Sequence, residues 1–191
     1  MRKGEILVAA EQLFQHYGYA KTTVADIARE AGIGVGSVYL EFQSKDSISS
    51  ALCQEQRERI LRAMQAVRDS EGNYSERLVQ LLEARISGAL RPSGAGLHGA
   101  DLLFAECEAT RQVNQRFDGQ ETELLQGFLE EGNAAGAFAV ADPPTTASLV
   151  LRIYDTVVSG PAAKRPSQAA LREILPTLHA LVLGGVLSRR S

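Results

Sequence analysis

No stretch of the chain approaches the roughly 18 consecutive apolar residues that a membrane-spanning helix requires. The most apolar run, Leu178 to Leu187, is interrupted by His179 and by Gly184 and Gly185. The first residues, Met-Arg-Lys-Gly-Glu, lead into an amphipathic segment without the apolar core and small-residue cleavage site of a signal peptide. These features predict a cytoplasmic protein with no membrane partner. Tryptophan is absent, and the three histidines, His16, His98 and His179, are scattered. The two cysteines, Cys53 and Cys107, lack metal-ligand spacing and read as small buried apolar residues rather than a redox pair. Also missing are a phosphate-binding loop, a nucleotide-binding glycine motif, a nucleophile elbow and a metal-ligand cluster. Glu106-Cys107-Glu108, with His98 upstream, contains nucleophile and base residue types. Adjacent side chains on a helix diverge by about 100°, so these three cannot converge on one substrate. Two flanking carboxylates would also raise a thiol pKa rather than lower it. The sequence therefore predicts no enzyme, no cofactor and no metal.

Strong charge of either sign is lacking too. The net charge is −3, and residues 1–50 hold five basic side chains (Arg2, Lys3, Lys21, Arg29, Lys45) against six acidic ones. Indiscriminate attraction to polyanions is excluded by this balance. Nucleic-acid binding, if present, has to rest on a few placed cations, backbone N–H groups and helix N-termini.

What is present is helical periodicity. Apolar residues recur three and four apart almost throughout, and period-two β-branched runs are missing. Ile6, Ala10, Leu13, Phe14 and Tyr17 form one stripe, and Gly18 stops it. Thr23 is an expected N-cap with Asp26 three residues on as an acidic capping box, opening a short helix that Gly32 ends. A second short helix follows from Val35 to about Phe42, and Ser44 caps a long helix reaching about Val67. Later helices are expected from Ser75, over Ala100 to Ala109, from Val113 to about Asn133, from Thr145 to Ser159 and from Ser167 to Leu187. Arg91-Pro92-Ser93-Gly94-Ala95-Gly96 reads as a loop. Pro143-Pro144 and Gly160-Pro161 punctuate the later helices, and Pro176 is expected to kink the last one.

Thr23 to Phe42 thus comprises two short helices joined by a tight glycine turn, the arrangement of a helix-turn-helix. Ile27, Ala31, Ile33 and Val38 make a mini-core too small to stand alone, so the helix from Ile6 to Tyr17 must cover it. The chain here resembles the TetR family of bacterial regulators, through Gly18-Tyr19-Ala20-Lys21-Thr22-Thr23-Val24, Ile27-Ala28-Arg29-Glu30-Ala31-Gly32, Gly36-Ser37-Val38-Tyr39 and Phe42-Gln43-Ser44-Lys45-Asp46.

The resemblance implies an all-α protein. An N-terminal three-helix domain (1–47, helix-turn-helix 23–42) would precede a C-terminal ligand-binding and dimerisation domain (48–191). It further implies a nine- or ten-helix Ω-shaped homodimer joined through the last two helices, repressing at a palindromic double-stranded DNA operator until a small, hydrophobic effector releases it. Carried over by position, Thr22 and Thr23 would meet phosphates, and Gly34, Val35, Gly36 and Ser37 would lie closest to base edges. Tyr39 and Lys45 would each hold a phosphate. Gly34-Val35 departs from the Ser-Lys pair of many relatives, and Leu40-Glu41 replaces a common histidine or aromatic. Val35 and Leu40 can touch thymine methyl groups but cannot make a bidentate hydrogen bond to a base.

In the second half, candidate lining residues of an apolar pocket are Met64, Leu82, Ile86, Leu103, Phe104, Cys107, Leu125, Phe128 and Tyr154. Helical stripes like these are core by default. The final segments, around Leu149, Leu151, Ile153, Val157, Val158, Leu171, Leu175, Leu178, Leu181, Val182 and Val186, are richer in apolar residues than one core needs, which points to a buried interface. An activator, or an architectural DNA binder without an effector, fits the same motif. A helical enzyme does not find its chemistry here.

Overall fold

The computed structural model describes residues 2–90, 107–158 and 168–187. Among them the chain forms helices α1 (Arg2–Tyr17), α2 (Val24–Glu30), α3 (Val35–Glu41), α4 (Lys45–Arg68), α5 (Tyr74–Leu90), α6 (Glu108–Ala134), α7 (Pro143–Val158) and α8 (Gln168–Val186). The all-α architecture expected from periodicity is what the chain adopts. A single antiparallel bridge, Phe138 with Leu187, accompanies the helices within the described residues. No helix among those residues is long and apolar enough to cross a membrane. Leu103, Phe104, His98, the loop over 91–96, most of the helix expected over 100–109 and Gly160-Pro161 lie outside the described residues.

Two compact units emerge, Met1–Ile60 with Ser87–Phe117, and Leu61–Ile86 with Asp118–Ser191. Each unit is assembled from two separate stretches of chain. The reason is helix length. At about 1.5 Å per residue, α4 and α6, with 24 and 27 residues, are long enough for each to contribute to both units.

In the first unit, Ile6, Ala10 and Phe14 of α1 pack with Ile27 and Ala28 of α2, Val38 of α3 and Ile48 of α4. Leu13, Ala31 and Ile33 border that core. Both cysteines are buried and neither is in a disulfide. Cys107 lies 3.0 Å from the Thr110 hydroxyl. That contact, with the Glu108–Arg111 ion pair at 2.8 Å, extends the start of α6 back to Glu108 from the expected Val113. Polar first-turn contacts, invisible to an apolar pattern, set this boundary.

The second unit is organised by aromatic packing. Tyr74, Phe128 and Phe138 stack with centroid separations of 5.6, 5.8 and 6.0 Å, and the Arg77 guanidinium lies 5.1 Å from the Tyr74 ring and 5.0 Å from Phe128. The turn after α6 delivers Phe138. Gly136 takes a positive φ of 72°, the amides of Ala137 and Phe138 both donate to the Gly132 carbonyl, and the Asn133 side chain exchanges two hydrogen bonds with Val140. Pro143 and Pro144 open α7 rather than merely preceding it. Asp142 caps the helix by accepting from the Thr145 amide at 3.1 Å, so the N–H groups that the prolines lack are ones the first turn does not need. These bonds from Thr145 hold the Asp142 carboxyl below its ordinary range. Pro176 lies inside α8.

A Cβ at Gly132 would stand 2.0 Å from Phe138 Cδ2. Gly132→Ala therefore has to displace the ring from its stack. The expected loss is about 1–3 kcal/mol of stability, as for overpacking of a tight core, measured by urea unfolding. An unchanged midpoint would show that the ring can move at no cost.

Candidate nucleic-acid interface

α2 and α3 are seven residues each, too short to persist alone. Their geometry comes from caps and from the core beneath them. Thr23 caps α2 with the full reciprocal box: its hydroxyl accepts from the Asp26 amide at 3.1 Å, and its own amide donates to the Asp26 carboxylate at 3.0 Å. The Thr23 hydroxyl also lies 2.6 Å from the Asp26 carboxylate and donates to it; that bond first, then the one from the Thr23 amide and the Arg29 guanidinium, hold the Asp26 carboxyl below its ordinary range. Gly32 closes the turn with a positive φ of 67°, where a side chain would be strained. Gly34 is the extended N-cap of α3 and brings no side-chain bond.

One face of α3 is anchored by Val38, which is fully buried. The opposite face is open. Leu40 is 82% exposed, Tyr39 54% and Val35 41%. Gly34 and Gly36 are also exposed, with nothing within 4 Å of the position a Cβ would take. Ser37 is half-buried, and its amide bonds the Gly34 carbonyl at 2.9 Å. The expected base-facing residues are thus brought to one uncovered surface, apart from Ser37, which is partly withdrawn.

Thr22 behaves differently from the expectation. It is 2% exposed, and its hydroxyl donates to the Gly18 carbonyl at 2.9 Å. The side chain is committed to the α1–α2 turn and is turned away from any phosphate. Thr23 remains exposed beside it.

Lys45 reaches back from the start of α4. Its ammonium donates to the carbonyls of Tyr19 at 2.8 Å and Thr22 at 2.9 Å, and it lies 4.2 Å from the Tyr19 ring centroid. Tyr19 in turn donates its hydroxyl to the Asp46 carboxylate. Burial, together with that bond, pushes the Tyr19 phenol above its ordinary range. Two of the three ammonium protons are therefore spent on the turn before α2, which makes Lys45 a brace whatever else it touches. Ser44 and Ser47 complete the start of α4 by exchanging amide-to-hydroxyl bonds of 3.1 Å.

Of the residues expected to line a pocket, Met64, Leu82, Ile86, Leu125, Phe128 and Tyr154 are buried in the second unit, and Cys107 is buried in the first. The second unit also holds an open cleft of about 500 Å³ lined by other side chains, including Arg85, Asp118, Thr122, Glu123, Arg152 and Asp155. In its wall Arg85, with a side chain 8% exposed, pairs with the fully buried Glu121 at 2.6 Å and with Asp155 at 2.8 Å. Neither Arg85 nor Glu121 was singled out by sequence. The available signal was positional, since Arg85 falls in register with Leu78, Leu81 and Leu82, and Glu121 with Leu125 and Phe128, on otherwise apolar stripes.

A second polar intrusion lies on α7 and α8. Tyr154 is fully buried and His179 is 7% exposed, with their rings stacked at 5.8 Å and 20°. Burial holds the His179 imidazole below its ordinary value, against a smaller opposing pull from Glu83, and pushes the Tyr154 phenol up.

Comparison with known proteins agrees with this geometry. Residues 6–52, which span α1 to the start of α4, match the sequence profile of the bacterial regulatory proteins of the tetR family. The chain is similar to the HTH-type transcriptional repressor KstR2 of Mycobacterium tuberculosis (strain ATCC 25618 / H37Rv), 30% identical over 194 residues that cover 97% of this chain and 92% of the relative. It superposes on the structure of the ketosteroid transcriptional regulator KstR2 of that species with a TM-score of 0.66 at 25% identity, covering 99% and 96% of the two chains. The fatty acid degradation regulator FadR from Bacillus halodurans shares the fold, with a TM-score of 0.78, 23% identity and coverage of 96% and 95%.

Two outcomes follow from the side-chain geometry. Lys45→Met removes two charge-assisted bonds to carbonyls and is expected to cost the first unit about 1.5–3 kcal/mol; a salt slope of DNA affinity lowered by about 0.9 in the same variant would add a phosphate contact to the brace, and an unchanged slope would leave the brace alone. In the second unit, the unfolded chain takes up a proton at His179 before the folded one does. Stability should therefore fall as pH drops below about 6.5, and His179→Phe should flatten that fall in thermal unfolding measured from pH 7.5 to 5.

Proposed function

We propose, from the premise that the chain belongs to the TetR family of bacterial transcriptional regulators, that it is a repressor which binds a palindromic operator as a dimer and is released by a small, largely apolar effector. As a member of that family the chain is a DNA-binding regulator of transcription rather than an enzyme. Repression, the effector and the dimer are the proposed part.

The observation that carries the DNA-binding reading is the face of α3. Val35, Gly36, Tyr39 and Leu40 are exposed on a helix whose other side is held by the buried Val38. That surface offers two apolar contacts, one phenol and glycines that let backbone approach the groove floor. It suits thymine methyl groups and groove shape better than guanine edges, for which arginine or lysine would be expected. Thr23 and Tyr39 are assigned to phosphates, and Lys45 is assigned one phosphate with its remaining proton. Repression is supported by the name of KstR2, a transcriptional repressor similar along nearly the whole chain.

A dimer through α7 and α8 is supported by their exposed apolar side chains, with Leu149 51%, Ile153 46% and Leu181 70% accessible. Such a face tends to be covered by a partner, and a two-fold dimer reads a palindrome. The effector is assigned to the second unit. Support comes from its buried aromatic and aliphatic interior and from the description of KstR2 as a ketosteroid transcriptional regulator. A ligand acts only by binding one conformation better than the other.

Selection from a random duplex pool at physiological salt tests the reading. An A·T-rich palindrome is expected. Tyr39→Phe should weaken binding by about 3- to 10-fold across sequences, whereas Leu40→Ala should relax preference at one thymine per half-site at a cost of about 1 kcal/mol. No enrichment, or a Leu40→Ala profile identical to that of the parent, would count against it.

A further inference from the structure

The stacked Tyr154 and His179 share an unusual property. Among the described residues neither the Tyr154 hydroxyl nor His179 Nε2 finds a hydrogen-bond partner, although both atoms are buried. Buried polar atoms nearly always find a partner, and a buried tyrosine or histidine is retained over phenylalanine or leucine because its polar tip is used. Here two such tips, on two helices, are unused side by side in one ring stack. His179 interrupts the apolar stripe Leu171, Leu175, Leu178, Val182, and Tyr154 follows the buried Val150 and Leu151 on α7. Leu151, one turn before Tyr154, lines the cleft of about 500 Å³, while Tyr154 and His179 themselves lie outside its lining.

We infer that Tyr154 and His179 form the polar anchor of the effector site and select a neutral molecule that is apolar apart from one ketone or hydroxyl oxygen. The inference rests on the proposed effector reading and deepens it. The phenol supplies an O–H donor and, in the tautomer with its proton on Nε2, the neutral imidazole supplies an N–H donor, a pair suited to the two lone pairs of a carbonyl oxygen. Charge is disfavoured on both sides. An anion would meet Glu83, which bears electrostatically on both rings, and the buried Arg85 of the cleft is already paired with Glu121 and Asp155. A cation would have to give up its hydration to two uncharged partners. A plain hydrocarbon would leave both tips as unsatisfied as before.

The full-length chain is tested in two arms. In the first, Tyr154→Phe and His179→Phe keep the stack and remove the polar tips. Removal of an unsatisfied buried group is expected to leave the melting temperature unchanged or raise it. A clear fall in both variants would mean that the tips already have partners and would overturn the proposal. In the second arm, methyl ketones of eight to thirteen carbons, the matching alkanes and the matching carboxylates are added to the complex with selected operator DNA. Release is expected from ketones with the parent chain. Each variant should need about tenfold more ketone, with the alkanes unchanged, and the histidine NMR signal lost in His179→Phe should shift in the parent. Equal ketone potency on parent and variants would overturn the anchor while leaving the effector reading intact. Release by no compound would overturn both.

Discussion

Everything the first unit does depends on a few buried side chains beneath two very short helices. Seven-residue helices do not persist in water, yet the proposed reading of DNA requires α3 to present its outer face in a fixed orientation. Ile27, Ala28 and Val38 supply the contact surface, and α1 closes over it with Ile6, Ala10 and Phe14. The alanines matter for what they leave out, since a larger side chain at residue 28 would separate the helices it now joins. Lys45 secures the same unit from the α4 side by neutralising carbonyls at the end of the α1–α2 turn. Recognition here is presented by packing rather than by local helix preference.

The sequence was most informative where local rules and tertiary structure agree. The Thr23–Asp26 box, the turn at Gly32 and the stripe from Ile6 to Phe14 are each legible because the residue types are demanded by caps, positive φ and burial. It was least informative where polar atoms decide. The start of α6 is set by Thr110 and Glu108, and the start of α7 by Asp142 ahead of two prolines that read as a break. Thr22 shows the same limit within the motif. Its type suits a phosphate contact, but a neighbouring carbonyl claims the hydroxyl, and only three-dimensional structure distinguishes the two uses.

In the second unit the apolar stripes are legible in the sequence, whereas the burial of their polar interruptions is not. Met64, Leu82, Leu125 and Phe128 are buried as any core would be. Arg85, Glu121, Tyr154 and His179 are equally buried and far harder to explain by hydrophobicity alone. A core that needed only to fold would exclude them, because ionic and polar groups inside a protein rarely improve stability over well-packed hydrocarbon. Tyr154 and His179 among them are the groups on which the proposed effector site draws.

The glycine at position 36 has an evolutionary consequence. It sits within a helix, where alanine would be favoured by about 1 kcal/mol, and the space around its Cα is open. Any of several side chains can therefore enter there without disturbing the fold, and most would steady α3. With α3 reading the operator as proposed, preference can drift through this site under almost no constraint from folding. On that reading a lineage of such regulators is free to diversify its targets one substitution at a time, while the packing beneath α3 stays fixed.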